Sequence, residues 1–131
     1  MLLTASAIGS AVAAGRRRGL VSYAPDRGDV VWLEFDPQAG HEQARRRPAL
    51  VLSPIAYNQR VGLALVCPIT SRVKGYPFEV AVPSTEPELR GVILADQVKS
   101  LEWRARKATL LAQVTESTIE EVIGLIGRLL Y

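Results

Sequence analysis

Asp29-Val30-Val31-Trp32-Leu33-Glu34-Phe35-Asp36 decides the reading of this chain. Val31, Leu33 and Phe35 fall on one side of an extended backbone, and Val30, Trp32 and Glu34 on the other. That two-residue period is the signature of a β-strand. Two further apolar runs follow it, PALVLS at residues 48–53 and LALVCPI at residues 63–69, both short enough to be buried strands. Between them, residues 54–60 (PIAYNQR) read as a turn or a single short helix. Residues 77–82 alternate again, residues 92–99 and 101–106 read as strands around a break, and residues 110–114 as one more.

The period then changes. Ile119, Val122, Ile123, Ile126, Leu129 and Leu130 recur at helical spacing and define a C-terminal amphipathic helix. Ser117, three residues before Glu120, offers it a capping box. Gly124 and Gly127 suggest close packing of that helix against a neighbour. Six or seven short strands with one terminal helix predict a mainly β (α+β) fold, a small twisted, partly closed barrel with helices outside.

Composition sets the outer limits. With 131 residues, 48% of them hydrophobic, the chain can bury one ordinary domain's core. A single cysteine, Cys67, excludes an intrachain disulfide framework and fits a reducing compartment. One His and one Cys argue against a structural zinc site, and no apolar run is long enough for a membrane span. Residues 1–19 contain a small, mildly apolar stretch followed by Arg16, Arg17 and Arg18. Because no charge precedes that stretch, its polarity is wrong for a secretory signal. They are expected to be a disordered N-terminal extension, or the product of a start assigned too early, leaving residues 20–131 as the domain.

The formal net charge of +3 comes entirely from those three arginines. The informative feature is where the remaining charge sits. Residues 41–74 carry Arg45, Arg46, Arg47, Arg60, Arg72 and Lys74 against Glu42 alone. That segment overlaps two polar loops, residues 37–47 and 70–75, that flank buried strands and can meet at one rim. A carboxylate, several guanidiniums and a hydroxyl suit attack of a ribose 2′-OH on its neighbouring phosphate: a base takes the proton, and cations stabilise the charge building on phosphorus. Arginine's forked donors match phosphate. Cys67, inside an apolar strand, reads as an inert core thiol.

Several stretches in order resemble the MazF/PemK family of toxin endoribonucleases. They are residues 28–37 (GDVVWLEFDP), 40–54 (GHEQARRRPALVLSP), 57–58 (YN), 67–71 (CPITS), 74–80 (KGYPFEV) and 94–104 (LADQVKSLEWR). The resemblance implies a homodimer of SH3-like barrels that cuts single-stranded RNA at a short sequence without metal or cofactor. Products with 2′,3′-cyclic phosphate (or 3′-phosphate) and 5′-OH ends are implied too. It further implies a cytoplasmic toxin with a MazE-like antitoxin, whose acidic, disordered C-terminal segment covers the RNA site. Carried over by position, Arg47, Thr70 and Glu42 are the catalytic residues, and Asp96 is a catalytic or RNA-contacting one. Gln43 is carried over as an RNA contact; His41 and Arg46 occupy positions that vary in the family, and they join Ser71, Arg72, Lys74 and Tyr76 of the two loops as further candidates for RNA binding. A second reading keeps the architecture without catalysis: CcdB-type toxins resemble it and bind DNA gyrase. Retention of Glu42, Arg47 and Thr70 together favours the nuclease.

Overall fold

The computed structural model describes residues 22–35, 46–83 and 89–131. The extension expected at residues 1–19 and the loop side chains His41, Glu42 and Gln43 lie outside those residues. Along the described chain run β1 (Asp29–Glu34), β2 (Arg46–Val51), α1 (Ile55–Val61), β3 (Leu63–Thr70), β4 (Glu79–Ala81), β5 (Val92–Leu94), β6 (Lys99–Glu102), β7 (Thr109–Gln113) and α2 (Glu116–Leu130).

The strands form one antiparallel sheet in the order β4-β5-β3-β2-β1-β7, with β6 joined to β3 off that path. β3 is long enough to serve two partners on one edge. Its first half, Leu63 to Val66, pairs with β6, and its end, Ile69 and Thr70, pairs with β5. Pro68, which has no N–H to donate, sits between the two ladders. The end strands β4 and β7 do not pair with each other, so the expected barrel is in fact an open sheet. Closure would require those edges to meet, and here β4 packs against α2 instead.

Strand alternation sorts side chains into two cores. Val30, Leu50 and Cys67 join Val80 and Ile93 of the β4–β5 hairpin and Val122 of α2. Val31, Ala49, Val51 and Val66 face the other way, against Ala64, Leu101 and Trp103. The three central strands therefore bury both faces, which is why β2 and β3 read as continuous apolar runs. Leu33 and Leu50 are fully buried, and each contributes roughly 1.5–3 kcal/mol of transfer free energy.

One polar group ties these layers together. The amide of Asn58, fully buried in α1, donates to the carbonyls of Pro25 and Ser53, both at 2.9 Å, and its oxygen accepts the Ser53 hydroxyl at 2.6 Å. The Asn58 backbone carbonyl accepts the Trp103 indole N–H at 3.0 Å. Asn58→Ala strands several buried partners at once, and each such loss costs about 1–3 kcal/mol. The variant is expected to lose about 2–4 kcal/mol of unfolding free energy in a urea titration; a loss under 1 kcal/mol would mean that water replaces the amide.

Two expectations about α2 are corrected. Its cap is Thr115, in an extended conformation and without a side-chain cap bond, so the helix starts at Glu116 and the Ser117–Glu120 box does not form. The Thr115 hydroxyl lies 3.4 Å from that of Thr118, and this pairing competes with capping. The glycines are not tightly packed within the described residues: a Cβ at Gly124 meets nothing within 4 Å, and one at Gly127 only the Tyr131 ring at 3.9 Å. Of the predicted stripe, Ile119 and Val122 are buried and Ile126 packs on the core, while Ile123, Leu129 and Leu130 are exposed. Among the described residues no helix is long and apolar enough to cross a membrane.

Candidate active site

The strand ends carry the site. β2 begins at Arg46, two residues earlier than its apolar run, because Arg46 and Arg47 pair with Glu34 and Leu33 of β1. On its other side Ala49 lies opposite Pro68 of β3. Two residues further along each strand come Arg47 and Thr70, and both line one cleft of about 620 Å³. Trp32, Arg46 and Pro48 complete the wall on the β1–β2 side, and Ile69, Ser71 and Arg72 belong to β3 and the turn after it. Arg90 closes the β5 side. The lining thus holds four guanidiniums and, among the described residues, no carboxylate.

Each side chain is fixed by local structure. Thr70 ends β3, and its hydroxyl oxygen accepts the Arg72 backbone N–H at 3.1 Å. That occupies one lone pair and leaves the hydroxyl proton available to a ligand. The carbonyl of Thr70 is covered by Gly91, at φ 135°, where a Cβ would stand 2.0 Å from the oxygen. Arg46 donates to the Thr109 hydroxyl at 3.1 Å, so one of its nitrogens is already committed to β7. The end of β1 is anchored by Arg106, whose guanidinium donates to the carbonyls of Glu34, at 3.1 Å, and Phe35.

The structure brings Arg46, Arg47, Thr70, Ser71 and Arg72 together around one cleft. Three other candidates stand outside the lining. Tyr76 donates its hydroxyl to Asp96 at 2.9 Å. Through that bond first, and the Asp96 charge second, its phenol is pushed above the ordinary tyrosine value. The other Asp96 oxygen is buried without a hydrogen-bond partner. The Lys74 backbone N–H donates to Glu79 at 3.1 Å, as does the Gly75 N–H, so Glu79 braces the loop that displays Lys74. Cys67 is buried in the core, and burial, then the Asp96 charge, pushes its thiol up to about 12. A thiol so rarely ionised is no nucleophile at neutral pH.

Trp32 and Arg90 are cleft residues that sequence reasoning missed. Strand alternation had placed Trp32 beside Glu34 as a face residue without a role. Residues 83–91 (PSTEPELRG) read as an acidic, proline-marked connection, and that composition hides Arg90. The glycine directly after it was the available signal, because a glycine entering a strand marks close backbone approach.

An open antiparallel sheet whose strand ends gather guanidiniums and hydroxyls around a cleft with no carboxylate among its described lining residues defines a class: a small α+β protein with a cationic site suited to polyanions. Residues 26–130 match the PemK-like, MazF-like toxin of type II toxin-antitoxin systems, and the chain belongs to that family. The endoribonuclease toxin MazF of Escherichia coli strain K12 is 48% identical over 108 residues, covering 82% of this chain and 96% of its own length. Endoribonuclease PemK of Escherichia coli is 34% identical over 110 residues, covering 80% and 81%. The crystal structure of MazF from Deinococcus radiodurans matches with a TM-score of 0.74 at 56% identity, covering 83% of this chain and 98% of that one. A MazE–MazF complex from the same organism gives 0.75 at 54% identity, covering 82% and 97%. Family and fold class are those the sequence motifs pointed to.

Proposed function

We propose that this protein is a sequence-specific endoribonuclease that cleaves single-stranded RNA without a metal ion and serves as the toxin of a toxin-antitoxin module. The observation that carries this reading is the convergence of Arg47 and Thr70 on one cleft. In the reaction the ribose 2′-oxygen forms a bond to the adjacent phosphorus while the bond to the 5′-oxygen breaks. The departing 5′-oxygen takes a proton from solvent, so the products are a 5′-OH and a 2′,3′-cyclic phosphate, which water can open to a 3′-phosphate. Extra negative charge develops on the non-bridging oxygens. The Arg47 guanidinium, on a backbone held by β1, offers two parallel donors to them, and the Thr70 hydroxyl offers a third. Glu42 fits the role of the base that takes the 2′ proton, and Asp96 that of a supporting group acting through Tyr76. Trp32, half-buried in the cleft wall, offers a planar platform on which a splayed base can stack.

The same cationic lining suits an acidic peptide. We therefore assign as partner a MazE-like antitoxin whose disordered, acidic C-terminal segment occupies the cleft in competition with RNA. Exposed Ile123, Leu129 and Leu130 on α2 fit a homodimer. We assign messenger RNA as the substrate and, with it, the cytoplasm as the place of action. The test is direct: long single-stranded RNA is incubated with the purified protein in EDTA, and both new ends are mapped. Cuts restricted to a short motif, with 5′-OH and cyclic phosphate ends, are expected. Intact RNA, or cleavage that appears only when Mg²⁺ is restored, would overturn the assignment.

A further inference from the structure

Thr70 lies between two arginines, one carried by β2 and the other by the segment that enters β5. Arg47 comes from β2 on one side of β3. Arg90 comes from the segment entering β5 on the other, where Val92 pairs with Thr70. The backbone at Gly91 runs directly over Thr70 and Ser71: a Cβ there would stand 2.0 Å from the Thr70 oxygen and 2.9 Å from the Ser71 Cα. This close approach fixes where Arg90 leaves the chain. Two interstrand spacings, about 10 Å, separate the backbones that bear Arg47 and Arg90, so the two arginines enter the cleft from opposite sides of β3. Arg90 is exposed, it faces the cleft, and among the described residues no carboxylate pairs with it.

We propose that Arg90 holds a backbone phosphate of the RNA next to the scissile one, fixing the strand on the β5 side of Thr70 while Arg47 serves the reacting phosphate. This rests on the nuclease reading and extends it to the path of the RNA. A phosphate contact carries no base information, so its loss weakens all sequences alike. It also reduces the salt dependence of binding, by about 0.7 in log–log slope for one contact on a single strand.

The test measures binding of a 2′-O-methyl RNA, which cannot be cleaved, between low and moderate salt, alongside cleavage kinetics. Arg90→Ala is expected to bind about tenfold more weakly at low salt, with the slope reduced by about 0.7. In cleavage its KM rises while kcat is largely kept, the pattern of a contact made equally in the ground and transition states. Arg90→Lys keeps the charge and is expected to restore the slope. Wild-type affinity and slope in Arg90→Ala would overturn the assignment. So would weaker binding at an unchanged slope with a lowered melting temperature, which marks a structural role. If the wild-type protein itself neither binds nor cleaves RNA, both this assignment and the nuclease reading fall.

Discussion

Arg47→Ala is expected to reduce the single-turnover cleavage rate at least a hundredfold while leaving the fold intact. Removing one preorganised donor to a developing oxyanion typically costs about 10²–10³ in rate. Arg47 supplies a charged, forked pair of donors, which places it at or above the top of that range. Its side chain is exposed at the mouth of the cleft, whereas the backbone it rides on is paired with Leu33 of β1, and Leu33 is fully buried. Truncation therefore removes charge without opening the core, and the melting temperature should move by no more than about 2 °C. Arg47→Lys should recover little activity, because a point charge lacks the fork. Cleavage by Arg47→Ala at the wild-type rate would remove this residue from the chemistry.

Gly91→Ala is expected to cost both stability and activity. At φ 135° the backbone sits where side-chain-bearing residues are strained. The added methyl would also lie 2.0 Å from the Thr70 oxygen, 2.7 Å from its carbonyl carbon and 2.9 Å from the Ser71 Cα. These are backbone atoms and cannot rotate aside. Either Thr70 moves, and its hydroxyl with it, or β5 separates from the end of β3 and Thr70 loses the pairing with Val92 that fixes it. A loss of about 2–4 kcal/mol in chemical denaturation and a kcat at least tenfold lower in the folded protein are expected. Gly62→Ala is the control. Gly62 also has positive φ, 84°, but a Cβ there meets nothing within 4 Å. That substitution should cost about 1 kcal/mol and leave activity unchanged. Equal behaviour of the two variants would show that φ alone, and not contact with Thr70, governs position 91.

Much of the architecture was legible because its signals are periodic. β1 alternates, β2 and β3 are short apolar runs, and α2 repeats at helical spacing. The division of residues 92–106 was not. The string VILADQVKSLE has no glycine or proline where the strand stops, yet the chain turns at Ala95–Asp96, where the Gln97 N–H reaches back to the Leu94 carbonyl at 3.1 Å. Tertiary pairing decides that break: β5 must join the end of β3 and β6 its beginning. The cap of α2 was misplaced for a local reason, since two threonines compete with the serine–glutamate pair. In the site, Arg47 and Thr70 were legible because each abuts a buried strand. Arg90 was hidden in a connection whose other charges are acidic. Only the pairing of β5 with β3 brings it over the cleft.

The lining, which has no carboxylate among the described residues, has an energetic corollary. Four like charges around one hollow repel one another when nothing fills it, and the folded protein bears that tension. A polyanion that enters relieves it. Occupancy and conformational stability are therefore linked, so the loaded molecule resists heat better than the empty one, whichever anion is the guest.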